Sequence, residues 1–143
     1  MNGRRIVVDT NVLVSAVLSH DGAAREVVRR CLMRKAVPLI GNALFSEYED
    51  VFSREPLFRD APIGSGERSE LLDAFLSTCR WVRIAYLWRP NLRDEADNHL
   101  IELAVAGNAQ AIITGNTKDL ASGELIFERI RLWTPAAFLK EED

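Results

Sequence analysis

The sequence is short of several things, and each shortage narrows the chemistry. It has 2 cysteines and 2 histidines in 143 residues, too few and wrongly spaced for the thiolate and imidazole ligands of a structural zinc site. Cys31 and Cys79 read as reduced structural thiols with no further role. No apolar run approaches the roughly 18 residues of a membrane span, and the N-terminus lacks the apolar core and small-residue site of a signal peptide. The expected setting is therefore the cytoplasm, with no membrane contact. Repeats and low-complexity tracts are missing too. The net charge is only −3, and nearly all of the 18 basic residues are arginine. That balance argues against holding nucleic acid by bulk positive charge, and it leaves a nuclease open.

What is present is a globular composition, 48% hydrophobic and 27% charged, in a length that suits one domain over residues 1–143. A domain of this size hides about two-thirds of the surface its unfolded chain exposes. Arg25, Arg29, Arg30 and Arg34 recur along one predicted helix, either as a solvated face or as a face for phosphate or a partner.

Short β-branched runs alternate with helical patterns along the whole chain. The run "RIVVD" reads as a buried strand ending at Asp9, followed by helices near Val12 to Leu18 and about Ala23 to Arg34. "AVPLIG" is a second strand, with Asn42 expected as N-cap of the helix "ALFSEYEDVFSR". "EPLFRDAPIGSG" is a loop with a short helical turn, "ERSELLDAFLSTC" an amphipathic helix, and "WVRIAYL" a strand of partial alternation. "RDEADNHLIELAVAGNA" is the clearest helix, with Gly107 placed to end it. "AQAIIT" and "RIRLW" are the last strands, and Pro135 starts a C-terminal helical turn. Five strands separated by helices predict an α/β fold: a parallel sheet between two helical layers, binding ligands beyond the carboxyl ends of its strands.

Polar residues collect at those ends. Asp9 follows the first strand, Glu47 lies in the helix after the second, Asp94 and Asp97 open the clearest helix, and Asn116 and Asp119 follow the fourth strand. Three residues along a helix turn about 60° and rise about 4.5 Å, so Asp94 and Asp97 can face one point. Each has an ordinary reading as well: Asp94 as an N-cap with Asp97 favoured by the helix dipole, Glu47 as surface, Asn116 and Asp119 as turn residues. Asp9 resists such a reading best, because a carboxylate ending a buried strand costs free energy unless it is paired or metal-bound. Converging carboxylates with no evident cationic partner repel one another and shift upward in pKa unless a divalent cation neutralises them. With only oxygen ligands on offer, that cation is Mg²⁺ or Mn²⁺, and the matching chemistry is phosphodiester hydrolysis.

The segments "VVDTNVLVSA", "SEYEDV", "RDEADNHLIELA" and "IITGNTKDL" followed by "LWTPAAFL" resemble, in that order, the PIN-domain family, and most closely its branch of VapC-type toxins of bacterial toxin–antitoxin pairs. The resemblance implies an α/β/α three-layer fold with strand order 3-2-1-4-5 and metal-dependent endonucleolytic cleavage of RNA, leaving a 5′-phosphate and a 3′-hydroxyl. It also implies a small antitoxin partner and a homodimer. Carried over residue by residue, Asp9, Glu47 and Asp97 match the three acidic motifs, Asp94 the extra acid of this branch, and Thr10 and Asn11 the polar neighbours of the first aspartate. Asp9 and Asp97 would hold the ion, Glu47 and Asp94 would orient the attacking water or a second ion, and Asn116 with Asp119 would complete the ring beside Thr114. Substrate RNA would approach over Arg93 and Lys118. In the fourth motif this chain reads Thr114, Gly115, Asn116 where many members read Thr-Gly-Asp. One negative charge is gone, which weakens a second metal position unless Asp119 takes that place.

Two other readings compete. A haloacid-dehalogenase-like phosphatase also places an aspartate after its first strand, but it needs an acid two residues on, where this chain has Asn11. A PIN-like binding module without activity is supported by Asn116 and opposed by the retained acids. An antitoxin would lay a helix or tail into an apolar groove, for which Leu57, Phe58, Leu71, Leu72, Phe75 and Leu76 are candidates, with core packing the alternative fate.

Overall fold

The computed structural model describes residues 3–18, 22–84, 98–115 and 130–142. Five parallel strands, β1 (Arg4–Val8), β2 (Ala36–Ile40), β3 (Arg80–Trp81), β4 (Ala111–Ile113) and β5 (Arg131–Trp133), lie in the order β3-β2-β1-β4-β5. The central strands carry the core: Ile6, Val7 and Val8 of β1, Leu39 and Ile40 of β2, and Ala111 to Ile113 of β4 are fully buried. Continuous burial, rather than alternation, is what a strand covered on both faces requires. Pro38 takes one N–H out of β2, and β3 pairs only beyond it, at Leu39 and Ile40. Of the strand expected over "WVRIAYL", the described part is shorter: β3 is Arg80–Trp81, Val82 N–H still donates to Ile40 O at 2.8 Å, Arg83 and Ile84 are not strand, and residues 85–87 lie outside the described residues.

Among the described residues six α-helices cover the sheet: α1 (Thr10–Leu18), α2 (Gly22–Leu32), α3 (Asn42–Phe52), α4 (Ser65–Thr78), α5 (Asn98–Ala106) and α6 (Pro135–Glu142), with a 3-10 turn at Glu55–Phe58. The helix α5 packs on β1, β2 and β4 with α3 beside it, while α2 packs on β2 with α1, α4 and α6 around it. The spacing of buried residues explains each docking. Ala24, Val27, Val28 and Cys31 make one stripe of α2, and Leu44, Tyr48 and Phe52 one stripe of α3. Phe58, Leu72 and Phe75 are core, whereas Leu57 is exposed. None of the described helices is long and apolar enough to cross a membrane.

Helix ends differ from the sequence reading in two places. Gly41, not Asn42, is the N-cap of α3, and no side chain caps it. At the end of α5 the left-handed residue is Asn108 (φ 56°), not Gly107. Gly107 is needed for another reason, because a Cβ there would stand 2.6 Å from Leu39 Cδ1 and 2.9 Å from Val82 Cγ2.

The arginines of α2 act locally. Arg29 and Arg30 bond Glu26, and Arg25 Nε donates to the Ala16 carbonyl at 3.1 Å. A further arginine is used inside: Arg68 is buried, donates to the Phe52 carbonyl at 3.2 Å, pairs with Glu55 and lies 4.4 Å over the Phe58 ring. Cys31 and Cys79 are free thiols. Burial raises both, Cys79 to about 12, which leaves them inert.

Candidate active site

The chain leaves the carboxyl end of β1 at Asp9 and turns at once into α1, since Val12 N–H donates to the Asp9 carbonyl at 2.9 Å. Asp9 N–H in turn donates to Ile113 O at 2.9 Å, and Thr114 N–H to Trp133 O at 3.0 Å, so the ends of β1, β4 and β5 are tied level. Four residues just past the ends of β1 and β4 then interlock. Thr114 Oγ1 donates to Asp9 Oδ2 at 2.7 Å, Asn11 Nδ2 donates to the same oxygen at 3.2 Å, and Gly115 N–H donates to Asn11 Oδ1 at 3.1 Å. Asn11 therefore clamps the ends of β1 and β4 together, a role its position in "DTN" alone does not reveal.

Glu47 joins this cluster from α3. Thr10 Oγ1 donates to Glu47 Oε1, and His99 Nε2 of α5 stands 3.4 Å from Glu47 Oε2. Tyr48, next in the chain and fully buried, donates its hydroxyl to the Val8 carbonyl, just before Asp9. The helix α3 is thus pinned to the end of β1 at two successive residues.

The two carboxyls titrate in opposite directions. Burial pushes the Asp9 carboxyl above its ordinary value, the Thr114 hydrogen bond opposes this, and the nearby Glu47 charge adds to the rise. Glu47 lies below its ordinary value, chiefly through the His99 hydrogen bond. Of the two described acids, Asp9 alone follows the expected upward shift, because Glu47 has the His99 ring as a hydrogen-bond partner.

Of the residues expected at the site, the structure brings together Asp9, Thr10, Asn11, Glu47 and Thr114. Asp94, Asp97, Asn116, Asp119, Arg93 and Lys118 lie outside the described residues. Among the described residues no group of three or more His, Cys, Asp or Glu side chains is placed to hold a metal ion. The donors that are described still suit one. Asp9 and Glu47 offer only oxygen, and a hard divalent cation would relieve both the burial of Asp9 and its repulsion from Glu47.

Sequence reasoning missed His99. No signal linked it to Glu47, since the two are joined only by the packing of α5 against α3. It missed Glu102 as well, one helical turn on, which is buried with its Oε2 lacking a hydrogen bond.

The family model described as PIN domain matches residues 5–118. Among solved structures, the fold is similar to a chain in the crystal structure of VapBC2 from Rickettsia felis bound to a DNA fragment from their promoter. The TM-score is 0.60 at 18% identity, covering 90% of this chain and 98% of that one. No curated protein sequence matches.

Proposed function

Because the chain belongs to the PIN domain family, we propose that it is a divalent-metal-dependent endoribonuclease and the toxin of a toxin–antitoxin pair. The observation that carries this reading is Asp9. It is a half-buried carboxylate at the carboxyl end of a central strand, fixed by Thr114 and Asn11 and set beside a second carboxylate. Partial burial and the neighbouring Glu47 make the ionised carboxylate costly there, a cost that a bound cation would offset.

Asp9, with Asp97, would hold Mg²⁺ or Mn²⁺. When bound, the ion would neutralise the acids and stabilise negative charge growing on the phosphate. The remaining work falls to the chain's own groups. Thr114 and Asn11 both donate to Asp9 Oδ2 and so keep the carboxylate in one orientation. Glu47, held by Thr10 and His99 and ionised at neutral pH, is the acceptor for a proton of the attacking water. Water oxygen then bonds to phosphorus as the bond to the 3′ oxygen breaks, and that oxygen leaves as a hydroxyl after taking up a proton. Asp94, Asn116 and Asp119 would complete the acidic ring, with Arg93 and Lys118 toward the RNA.

The similar fold in VapBC2 supports an antitoxin partner, and the chain has a groove to receive one. Ala16, Val17, Val28, Leu32, Ile63 and Leu71 line an apolar cleft of about 260 Å³ between α1, α2 and α4, with Arg25 and Arg29 at its rim. Such a cleft suits the apolar face of a helix with acidic flanks.

The test is cleavage of a panel of structured and single-stranded RNAs by the purified protein with Mg²⁺, Mn²⁺ or EDTA, alongside Asp9→Asn. Cleavage that needs metal and disappears in the variant is expected. Cleavage that persists unchanged in Asp9→Asn, or no cleavage of any RNA by the folded protein, would overturn the reading.

A further inference from the structure

The sheet has a second feature at its carboxyl edge. At the end of β3 and just past it, Trp81, Val82, Arg83 and Ile84 line, with Asn42 and Ala43 of α3, a groove of about 560 Å³. Trp81 is 53% exposed, an unusual place for the largest side chain, and its ring leans on Phe45 at 5.4 Å between centroids. Arg83 lines the groove with it and is exposed, and no side-chain hydrogen bond or ion pair of Arg83 is found among the described residues. Among the described residues no acidic side chain lines the groove. In a chain of net charge −3, that is a local reversal of sign.

Register places this groove beside the acidic site. Ile40 pairs with Trp81, and Ile6 with Pro38, so continuing the same pairing sets Val8 level with Ile40 and Trp81. Val82 and Arg83 therefore project past the same edge as Asp9. β3 is two strands from β1, which at about 4.8 Å per strand is roughly 10 Å. The wall between them is the start of α3, the helix that carries Glu47.

We propose that this groove is a single-stranded RNA subsite, in which Trp81 stacks on a base and Arg83 contacts an adjacent phosphate. An exposed indole with a guanidinium in the same groove is the platform that single-stranded nucleic acid uses, because every base has a π face and every nucleotide a charge. The inference rests on the ribonuclease reading above and adds to it where the strand runs: from the acidic cluster across the start of α3 to the β3 edge. Neither Arg93 nor Lys118 is needed for it.

The experiment is fluorescence anisotropy with a labelled single-stranded RNA about 12 nucleotides long, within the roughly 4–16 such grooves hold, in EDTA so that nothing is cleaved. Trp81→Ala is expected to weaken binding roughly 5- to 150-fold, the range that corresponds to losing one stacked base. Trp81→Phe, which keeps a ring, should recover most of that loss. Arg83→Gln should reduce the slope of log affinity against log salt by about 0.7, one phosphate contact. Equal affinity for wild type and Trp81→Ala, or no binding by the wild type, would overturn the subsite. So would unchanged RNA binding accompanied by a change in oligomeric mass, which would make the patch a protein contact. Cleavage of the same RNA with Mn²⁺, compared with Asp9→Asn, is scored separately. Metal-dependent cleavage with an indifferent Trp81 refutes only the subsite, and absent cleavage with Trp81-dependent binding refutes only the nuclease.

Discussion

Tyr48→Phe removes one oxygen and tests how α3 is fastened to the end of β1. Tyr48 is fully buried, and its hydroxyl donates to the Val8 carbonyl. The pairing of β1 with β2 ends at Ile6 and Pro38, so the hydroxyl meets a carbonyl that has run past that ladder. The phenylalanine keeps the edge-on contact with Phe75, 5.9 Å between centroids, so packing is nearly unchanged. What remains is a buried carbonyl without its donor, a loss of about 1–3 kcal/mol. With about 2.1 cal/mol/K of unfolding entropy per residue, 143 residues give roughly 0.3 kcal/mol/K. The expected fall in Tm is therefore about 3–10 °C, read by circular dichroism in EDTA. A fall below about 1 °C would refute the argument, since it would mean that the hydroxyl does not satisfy this carbonyl.

Asp9→Asn should stabilise the metal-free protein at neutral pH. The folded Asp9 holds its proton to higher pH than the unfolded chain does, so its contribution is present below the unfolded value and lost as pH rises through the folded one. Each tenfold difference in proton affinity between the folded and unfolded chain is worth about 1.4 kcal/mol. Melts from acid to neutral pH in EDTA check this, and a variant less stable than wild type at pH 7 contradicts it. Gly107→Ala should cost about 1–3 kcal/mol by overpacking, because the nearest atom, Leu39 Cδ1 at 2.6 Å, belongs to a side chain with no exposure and no room to yield. Urea titration reads this, and an unchanged midpoint would show that the turn can shift.

Legibility followed the range of the interaction. Where a residue's fate depends on its own neighbours in the chain, the sequence was enough. The buried strands around Ile6 to Val8 and Ala111 to Ile113, the stripe of α2, and the start of α6 at Pro135 all fall where periodicity and turn chemistry place them. The end of β3 at Trp81 was not legible, because an edge strand is as long as its partner permits, and β2 ends at Ile40. The cap of α3 fell on Gly41 rather than Asn42, a one-residue difference that propensity does not resolve.

At the site the same division holds. Motif order and the place of Asp9 at a strand end were determined by the sequence, since a carboxylate closing a continuous apolar run has few alternatives to being partnered. Only the tertiary structure decided the partners. Asn11 reaches Gly115, Thr114 reaches Asp9, and His99 reaches Glu47 across long stretches of chain. Hydrogen bonds and charge act over a few ångströms of space whatever the separation along the sequence. For that reason the opposite shifts of Asp9 and Glu47, and the exposed Trp81 beside them, came into view only once the strands were paired.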